Sequence, residues 1–418
     1  MGKRRVGLNQ CTSLPHNGGI SNFKVPAMPC QQIIRHAWWA TLGIALVLTA
    51  CGGGGSSTPA VSTPTAVANA LNLDFANLAN YAAPALPAYY DATVAAIDNT
   101  PPGDPVTDKI ATLGRVLFYD KNLSINNVVS CASCHQQARG FDDATRFSTG
   151  FSGAAFTTAH AMRLGNIRYF RPGTAFWDRR AANVEAQASQ PIQNPVEMGF
   201  DAAHGGLAAL VAKLQALAYY PDLFTLAFGD SSISETRIQR ALAQFERGMV
   251  STSSRWDSGY LANFNPALPD RGLGLPIAAF AADENRGRAL FMNAPGAGGL
   301  GCVACHAPPT FALTANSRSN GLDAGETTVF KAPSLKNVAS SSTFMHDGRF
   351  ATLAQVVEHY NTGVQAGPAL DNRLIGPGGI PRQLNLSAPD KAALVAFLAT
   401  LNDPALVADG KFANPFKP

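Results

Sequence analysis

The sequence predicts a mainly α-helical protein in two halves, with little β structure. Three observations carry that expectation. Apolar residues recur at helical spacing in several separate stretches, and no long alternating run suggests an extended sheet. The order helix, then Cys-x-x-Cys-His, occurs twice, at Cys131 and again at Cys302. At 418 residues the chain also exceeds what one hydrophobic core usually serves.

Composition sets the bounds. Hydrophobic residues make up 46% and charged ones 14%, a balance that suits a packed chain rather than a disordered one. The formal charge of +4 is misleading, because residues 1–50 hold Lys3, Arg4, Arg5, Lys24 and Arg35 and no acid. Subtracting those five from 32 leaves 27 basic residues against 28 acidic ones, so a nucleic-acid reading loses its support.

The first 50 residues read as an export signal. Arg35 precedes an apolar run from Ala37 to Leu48, too short to span a bilayer but suited to a signal sequence. A signal beginning at Met28 would have conventional length. Leu48-Thr49-Ala50-Cys51 resembles the lipobox of bacterial lipoproteins, in which the cysteine is lipidated; an ordinary cleaved signal with an incidental cysteine is the alternative. Residues 51–70 then form a tether, glycine- and serine-rich at its start. Of seven cysteines, Cys11 and Cys30 leave with the signal and Cys51 takes the lipid. The other four all sit in the two Cys-x-x-Cys-His motifs, and none is left for a disulfide.

A first domain over 71–255 and a second over 280–418 follow. Residues 58–104, rich in Ala, Pro and Asn, are expected to wrap the surface of the first. A helix begins near Asp108, with Ile110, Leu113, Val116 and Leu117 on one face, and ends close to Tyr119. Ser234 can cap a helix whose stripe of Ile238, Ala241, Leu242, Phe245 and Met249 reads as ordinary core. The stretch from Ser251 to Ala279 reads as the connection between the domains. Ala281 to Met292 is a helix before the second motif. Thr352 and Gln355 form a capping box, after which Leu353, Val356, Val357 and Tyr360 share a buried face and His359 is rotated about 100° from it. Ser387 and Asp390 introduce a last helix carrying Leu394, Phe397, Leu398 and Leu401.

The two motifs carry the chemistry. Cysteines three apart on a helical turn can each add to one vinyl group of the same haem, and the next histidine then lies under the iron. Cys131/Cys134/His135 and Cys302/Cys305/His306 therefore predict two covalent c-type haems. A thiol redox pair does not explain a histidine occurring twice, and a zinc site would need four ligands from motifs far apart in sequence. Export agrees, because bacterial c-type haem is attached outside the cytoplasm.

Further segments accompany the motifs: LGRVLFYDKNLS from Leu113, FWDRRA at 176–181, QPIQNPVEMG at 190–199, KAPSLKNV at 331–338 and MHDGRFATL at 345–353. In order and spacing they resemble the bacterial dihaem cytochrome c peroxidase and MauG family, from about Leu113 to Phe397. The resemblance implies two packed cytochrome c-like domains, a peroxide site at the first haem and an electron-entry site at the second. It places Trp177 between the haems, and Gln187 and Glu197 as the polar pair on the peroxide side; core packing remains an ordinary role for Trp177. His346, Lys336 and Arg349 are expected near the second haem or its propionates. The resemblance also implies a calcium ion between the domains, held by backbone carbonyls at Ser341 and Thr343.

Three positions depart from the peroxidase pattern. Peroxidase members carry a blocking histidine sixteen residues after the first haem histidine, where this chain has Phe151, which has no lone pair for iron. His160 stands where an asparagine helps hold the calcium, which puts that ion in doubt. Tyr360 stands fourteen residues after His346, where peroxidases place a methionine ligand. Tyrosine there resembles MauG-type members, with His359 or Met345 as alternative ligands.

The expected activity is reduction of hydrogen peroxide to water, with electrons from a periplasmic donor such as a cytochrome c or a cupredoxin. The rival is a MauG-like oxidation of side chains on a partner protein; a non-catalytic dihaem electron carrier is the third reading. The expected location is the periplasm, with membrane contact only through a lipid at Cys51 in the outer membrane. Members of the family are often homodimers.

Overall fold

The computed structural model describes residues 62–171, 173–312 and 317–418. The signal, the lipobox and Cys51 lie outside the described residues. Among those described there are helices and short helical turns, joined by isolated β-bridges and no strand. None of the helices is long and apolar enough to cross a membrane.

Two helix pairs organise the molecule, and each is built on a glycine. The Asp108–Tyr119 helix starts where Thr107 Oγ1 accepts from the Ile110 N–H at 3.2 Å. It packs on the Glu235–Arg247 helix, capped by Ser234. A Cβ on Gly114 would lie 1.9 Å from the Ala241 carbonyl oxygen, so the two backbones nearly touch. The second pair repeats this: Ala282–Met292 packs on Ala388–Ala399, and a Cβ on Gly287 would lie 1.9 Å from the Ala393 carbonyl oxygen.

Each pair seeds its own apolar core. Ile110, Leu113, Phe118, Leu242 and Phe245 belong to the first, with helices Gly206–Gln215 and Tyr220–Phe228 closing over it. Phe291, Phe311, Leu394, Phe397 and Leu401 belong to the second.

Three segments differ from the sequence expectation, for one physical reason: apolar side chains follow available core, not chain order. The stretch after Ser251 is not a bare connection. It holds the Arg255–Asn263 helix, whose Trp256 and Tyr260 are buried in the second core. Residues 62–104 wrap more than the first half, since Val67, Leu71 and Tyr81 enter the first core and Tyr89 the second. The chain end returns to the first core through Leu406 and Phe412.

Candidate functional site

The first motif forms a short helix, Cys131–Cys134, opened by a hydrogen bond from the Ser130 N–H to Ser133 Oγ at 3.0 Å. The His135 N–H donates to the Cys131 carbonyl at 2.9 Å. The chain then turns through Gly140 and Phe141, both at positive φ, which brings the Phe141 carbonyl 3.2 Å from His135 Nδ1. Nδ1 therefore donates and the lone pair remains on Nε2. Burial pushes this imidazole pKa down, which favours the neutral form that ligates metals.

A cavity of about 70 Å³ opens beside this motif. Cys131, Cys134, His135, Gln187, Pro191 and Glu197 are among its lining residues. Gln187 arrives on the Val184–Ala188 helix, where Asn183 Oδ1 accepts from the Ala186 N–H at 2.7 Å. Glu197 is set by Asn194 Oδ1, which accepts from its N–H at 3.2 Å. Burial raises the Glu197 carboxyl, with Arg180 partly opposing.

Phe151 is not among the cavity's lining residues. Its N–H donates to the Glu197 carbonyl at 3.0 Å, and its ring lies against Gly199, where a Cβ would meet Cε1 at 2.7 Å. At this position the phenylalanine thus packs beside the pocket and tethers the Glu197 segment.

Glu246 is a lining residue that sequence reasoning missed. It is buried, its Oε2 has no hydrogen-bond partner, and burial pushes its carboxyl up to about 8. The available signal was its position four residues after Leu242, on the edge of a buried stripe.

The second motif is a tighter turn over Cys302–Ala304, entered through Gly301 at φ 75°. The His306 N–H donates to the Cys302 carbonyl at 2.9 Å. Burial pushes the His306 imidazole down to about 4. The Phe311 and Pro333 carbonyls face the ring and partly offset this, without good hydrogen-bond geometry at Nδ1.

Past the capping box of Thr352 and Gln355, the Leu353–Glu358 helix widens into a π turn over His359–Gly363. Burial pushes the Tyr360 phenol up to about 12; the Asn320 amide opposes this, and the Cys305 and Cys302 thiols nearby add to it. Asn320 Nδ2 lies 3.4 Å from both Tyr360 Oη and Met345 Sδ. His359 is itself buried rather than turned out to solvent, and its Nε2 donates to the Asn320 carbonyl at 3.1 Å. Tyr360 and Met345 therefore meet at one amide, and His359 holds the segment that carries it.

Trp177 links segments of the two halves. Its Nε1 donates to the His160 carbonyl at 2.7 Å, and its carbonyl accepts from the Lys331 N–H at 2.7 Å. Its ring meets His346 edge-on at 6.5 Å, and His346 stacks on Phe330 at 4.0 Å. Lys336 and Arg349, expected near propionates, are already paired: Lys336 with Asp257 at 2.5 Å, Arg349 with Asp323 at 2.8 Å.

The two motifs do not converge into one four-ligand metal site. Among the described residues the one group of three ligand atoms within 4.8 Å of each other is Asp323, Glu326 and His346. A haem fits the donor set better. Each motif offers two thiols and a histidine kept neutral by burial. Lys331 is buried over the Phe170 ring at 4.2 Å, and Arg163 has a buried Nε without a partner, cations that suit acidic groups of a cofactor.

Calcium does not fit. His160 supplies no side-chain oxygen, and its carbonyl is taken by Trp177. Its Nε2 lies 3.0 Å from Asp142 Oδ1, and its Nδ1 lies 3.0 Å from the Thr145 carbonyl. Arg163 Nη1 sits 2.8 Å from Ser341 Oγ and 3.6 Å from Asp142 Oδ2, so a cation already stands beside Ser341.

Paired helices around two Cys-x-x-Cys-His turns, one of them open to a cavity with an amide and a carboxyl, define a dihaem oxidoreductase. The family model described as di-haem cytochrome c peroxidase matches residues 108–263 and 282–372, and the chain belongs to that family. It is 32% identical over 384 residues to the methylamine utilization protein MauG of Methylorubrum extorquens, covering 87% of this chain and 96% of that one. It is 30% identical over 277 residues to the cytochrome c551 peroxidase of Nitrosomonas europaea, covering 61% and 73% of the two chains. The crystal structure of a MauG-like protein associated with microbial copper homeostasis matches with TM-score 0.63 and 30% identity, over 76% of this chain and 96% of that one.

Proposed function

We propose that this protein reduces hydrogen peroxide to water in the cavity beside Cys131/Cys134/His135, with electrons entering through the second haem. The observation that carries the reading is that Gln187 and Glu197 line the same cavity as the first motif. Cys131 and Cys134 would hold one haem by thioether bonds and Cys302 and Cys305 the other, with His135 and His306 as the residues that would ligate iron. When bound, the haems supply iron centres that take two electrons from a donor and deliver them to peroxide.

The chain's own residues move the protons. The Glu197 carboxyl, raised by burial, would take a proton from one oxygen of the peroxide and return it to the other, so that peroxide, two electrons and two protons give two waters. Gln187 orients the peroxide as a neutral donor, without adding charge to a buried site. Phe151, with no lone pair, would offer the first haem no ligand. Tyr360 would be a ligand for the second, and Trp177 lies between the two haem domains, 71–255 and 280–418. The donor is a small periplasmic cytochrome c or cupredoxin, and Cys51 carries the lipid that anchors the protein to the outer membrane.

A second reading, oxidation of side chains on a partner protein, is favoured by Tyr360. Phenolate is a harder, anionic donor than a thioether and stabilises oxidised iron. Similarity to MauG over nearly the whole of that relative supports the same reading. Steady-state peroxide consumption with reduced cytochrome c or cupredoxin separates them. Rapid turnover is expected for the peroxidase. Slow turnover with a long-lived oxidised protein overturns it in favour of the second reading.

A further inference from the structure

We infer that a buried cluster of Asp142, His160 and Arg163 stands in place of the calcium ion that the family resemblance implies, so the joint between the two haem-bearing halves is calcium-independent.

The three groups form one buried cluster. Their side chains are 1%, 3% and 10% exposed, respectively. His160 Nε2 faces the Asp142 carboxylate at 3.0 Å, while Nδ1 faces two carbonyl oxygens, Thr145 at 3.0 Å and Arg146 at 3.2 Å. All of these partners are oxygen acceptors, so both ring nitrogens are engaged within the protein and neither is turned toward a metal. Arg163 brings a guanidinium to the same carboxylate. Its Nη1 donates to Ser341 Oγ at 2.8 Å and lies 3.6 Å from the other oxygen of Asp142.

A calcium ion needs six to eight oxygens around it, and here the nearby carboxylate already faces the His160 ring and the Arg163 guanidinium. A divalent ion at Ser341 would also sit beside the guanidinium, where like charges repel in a medium that screens them poorly. What the cluster does in place of an ion is join segments. Arg163 reaches Ser341, Arg139 Nη1 reaches Ser342 Oγ at 3.3 Å, and Arg146 Nε donates to the Asp347 carbonyl at 2.7 Å. The His160 N–H donates to the His346 carbonyl at 2.9 Å. The loop after the first haem motif is thereby fixed to residues 341–347, next to Trp177.

The test uses the haem-loaded protein, purified without added calcium and assayed for metal content. Melting temperature and the EPR spectrum of the ferric haems are then recorded with excess EGTA and with excess calcium chloride. Substoichiometric calcium, and no change in either readout, are expected. One calcium per chain, or a melting temperature that EGTA lowers and calcium restores, overturns the inference. Arg163→Gln keeps a donor for Ser341 but removes the charge, and is expected to melt a few degrees lower in EGTA. A parental melting temperature for that variant also overturns it.

Discussion

The Asn320 amide donates to the Tyr360 hydroxyl at 3.4 Å, the same amide whose nitrogen lies 3.4 Å from Met345 Sδ. Burial alone would keep the phenol protonated far above neutrality, and this amide pulls the other way. Ligation by Tyr360 therefore predicts that Tyr360→Phe changes the spectrum of one haem only, shifting it from low-spin toward high-spin. Tyr360→Met is expected to raise the midpoint potential of that haem by on the order of 0.1 V or more, since axial ligands tune haem potentials over ~0.8 V. Redox titration followed in the visible spectrum checks both. Two unchanged haem signals in Tyr360→Phe would remove Tyr360 from the iron and leave Met345, at the same amide, as the candidate.

Glu197 is the group whose chemistry most directly separates a peroxide site from an electron carrier. Glu197→Gln keeps the shape of the side chain and removes its basicity. Both haems should still attach, because the cysteines and histidine of each motif are unchanged. The reaction of the reduced protein with peroxide should slow by ~10²–10⁴-fold, the usual worth of a positioned acid–base group. Stopped-flow mixing with peroxide measures it, and a near-parental rate would move the proton chemistry to another group.

Several helix starts were legible where a cap sat next to a long periodic apolar run. Asp108, Ser234, the Thr352–Gln355 box and Ser387 all stand at observed helix starts. Those signals are local, so one sequence contains them. What was not legible depends on partners distant along the chain. Trp256 and Tyr260 lie in a stretch with the composition of a linker, yet the second core buries them. Glu246 reads as a surface residue until the first cavity is assembled around its helix. Arg163 looks like any exposed arginine, and only the approach of Ser341 and Asp142 gives it a buried role.

The two helix crossings depend on Gly114 and Gly287. Alanine would improve intrinsic helix propensity at either position by about 1 kcal/mol. Against that, the added carbon would stand 1.9 Å from a backbone carbonyl oxygen, Ala241 in one case and Ala393 in the other. The helices would have to separate, opening the core of that pair, and overpacking of this kind costs about 1–3 kcal/mol, more where backbone must move. Gly114→Ala and Gly287→Ala should each lower the melting temperature of the haem-loaded protein, despite the better helix former. A melting temperature equal to or above the parent's would show that the crossing yields easily.

Glu246 gives the stability a pH dependence whose sign is fixed by burial. Its carboxyl rises from about 4.5 in the unfolded chain to about 8 in the fold, first because burial penalises the charge and also because Glu185 lies nearby, with Arg247 and Lys331 opposing. The folded state therefore binds this proton more tightly than the unfolded state does. Its contribution to stability is fully present below about 4.5 and is lost as pH rises through about 8. Glu246→Gln holds no such proton and escapes that loss. The melting temperature of the variant relative to the parent should thus increase steadily between about pH 5 and about pH 9, and then level off. Thermal melts across that range decide it. A difference that stays constant with pH would mean that Glu246 is ionised in the folded protein and has a cationic or donor partner once the haems are bound.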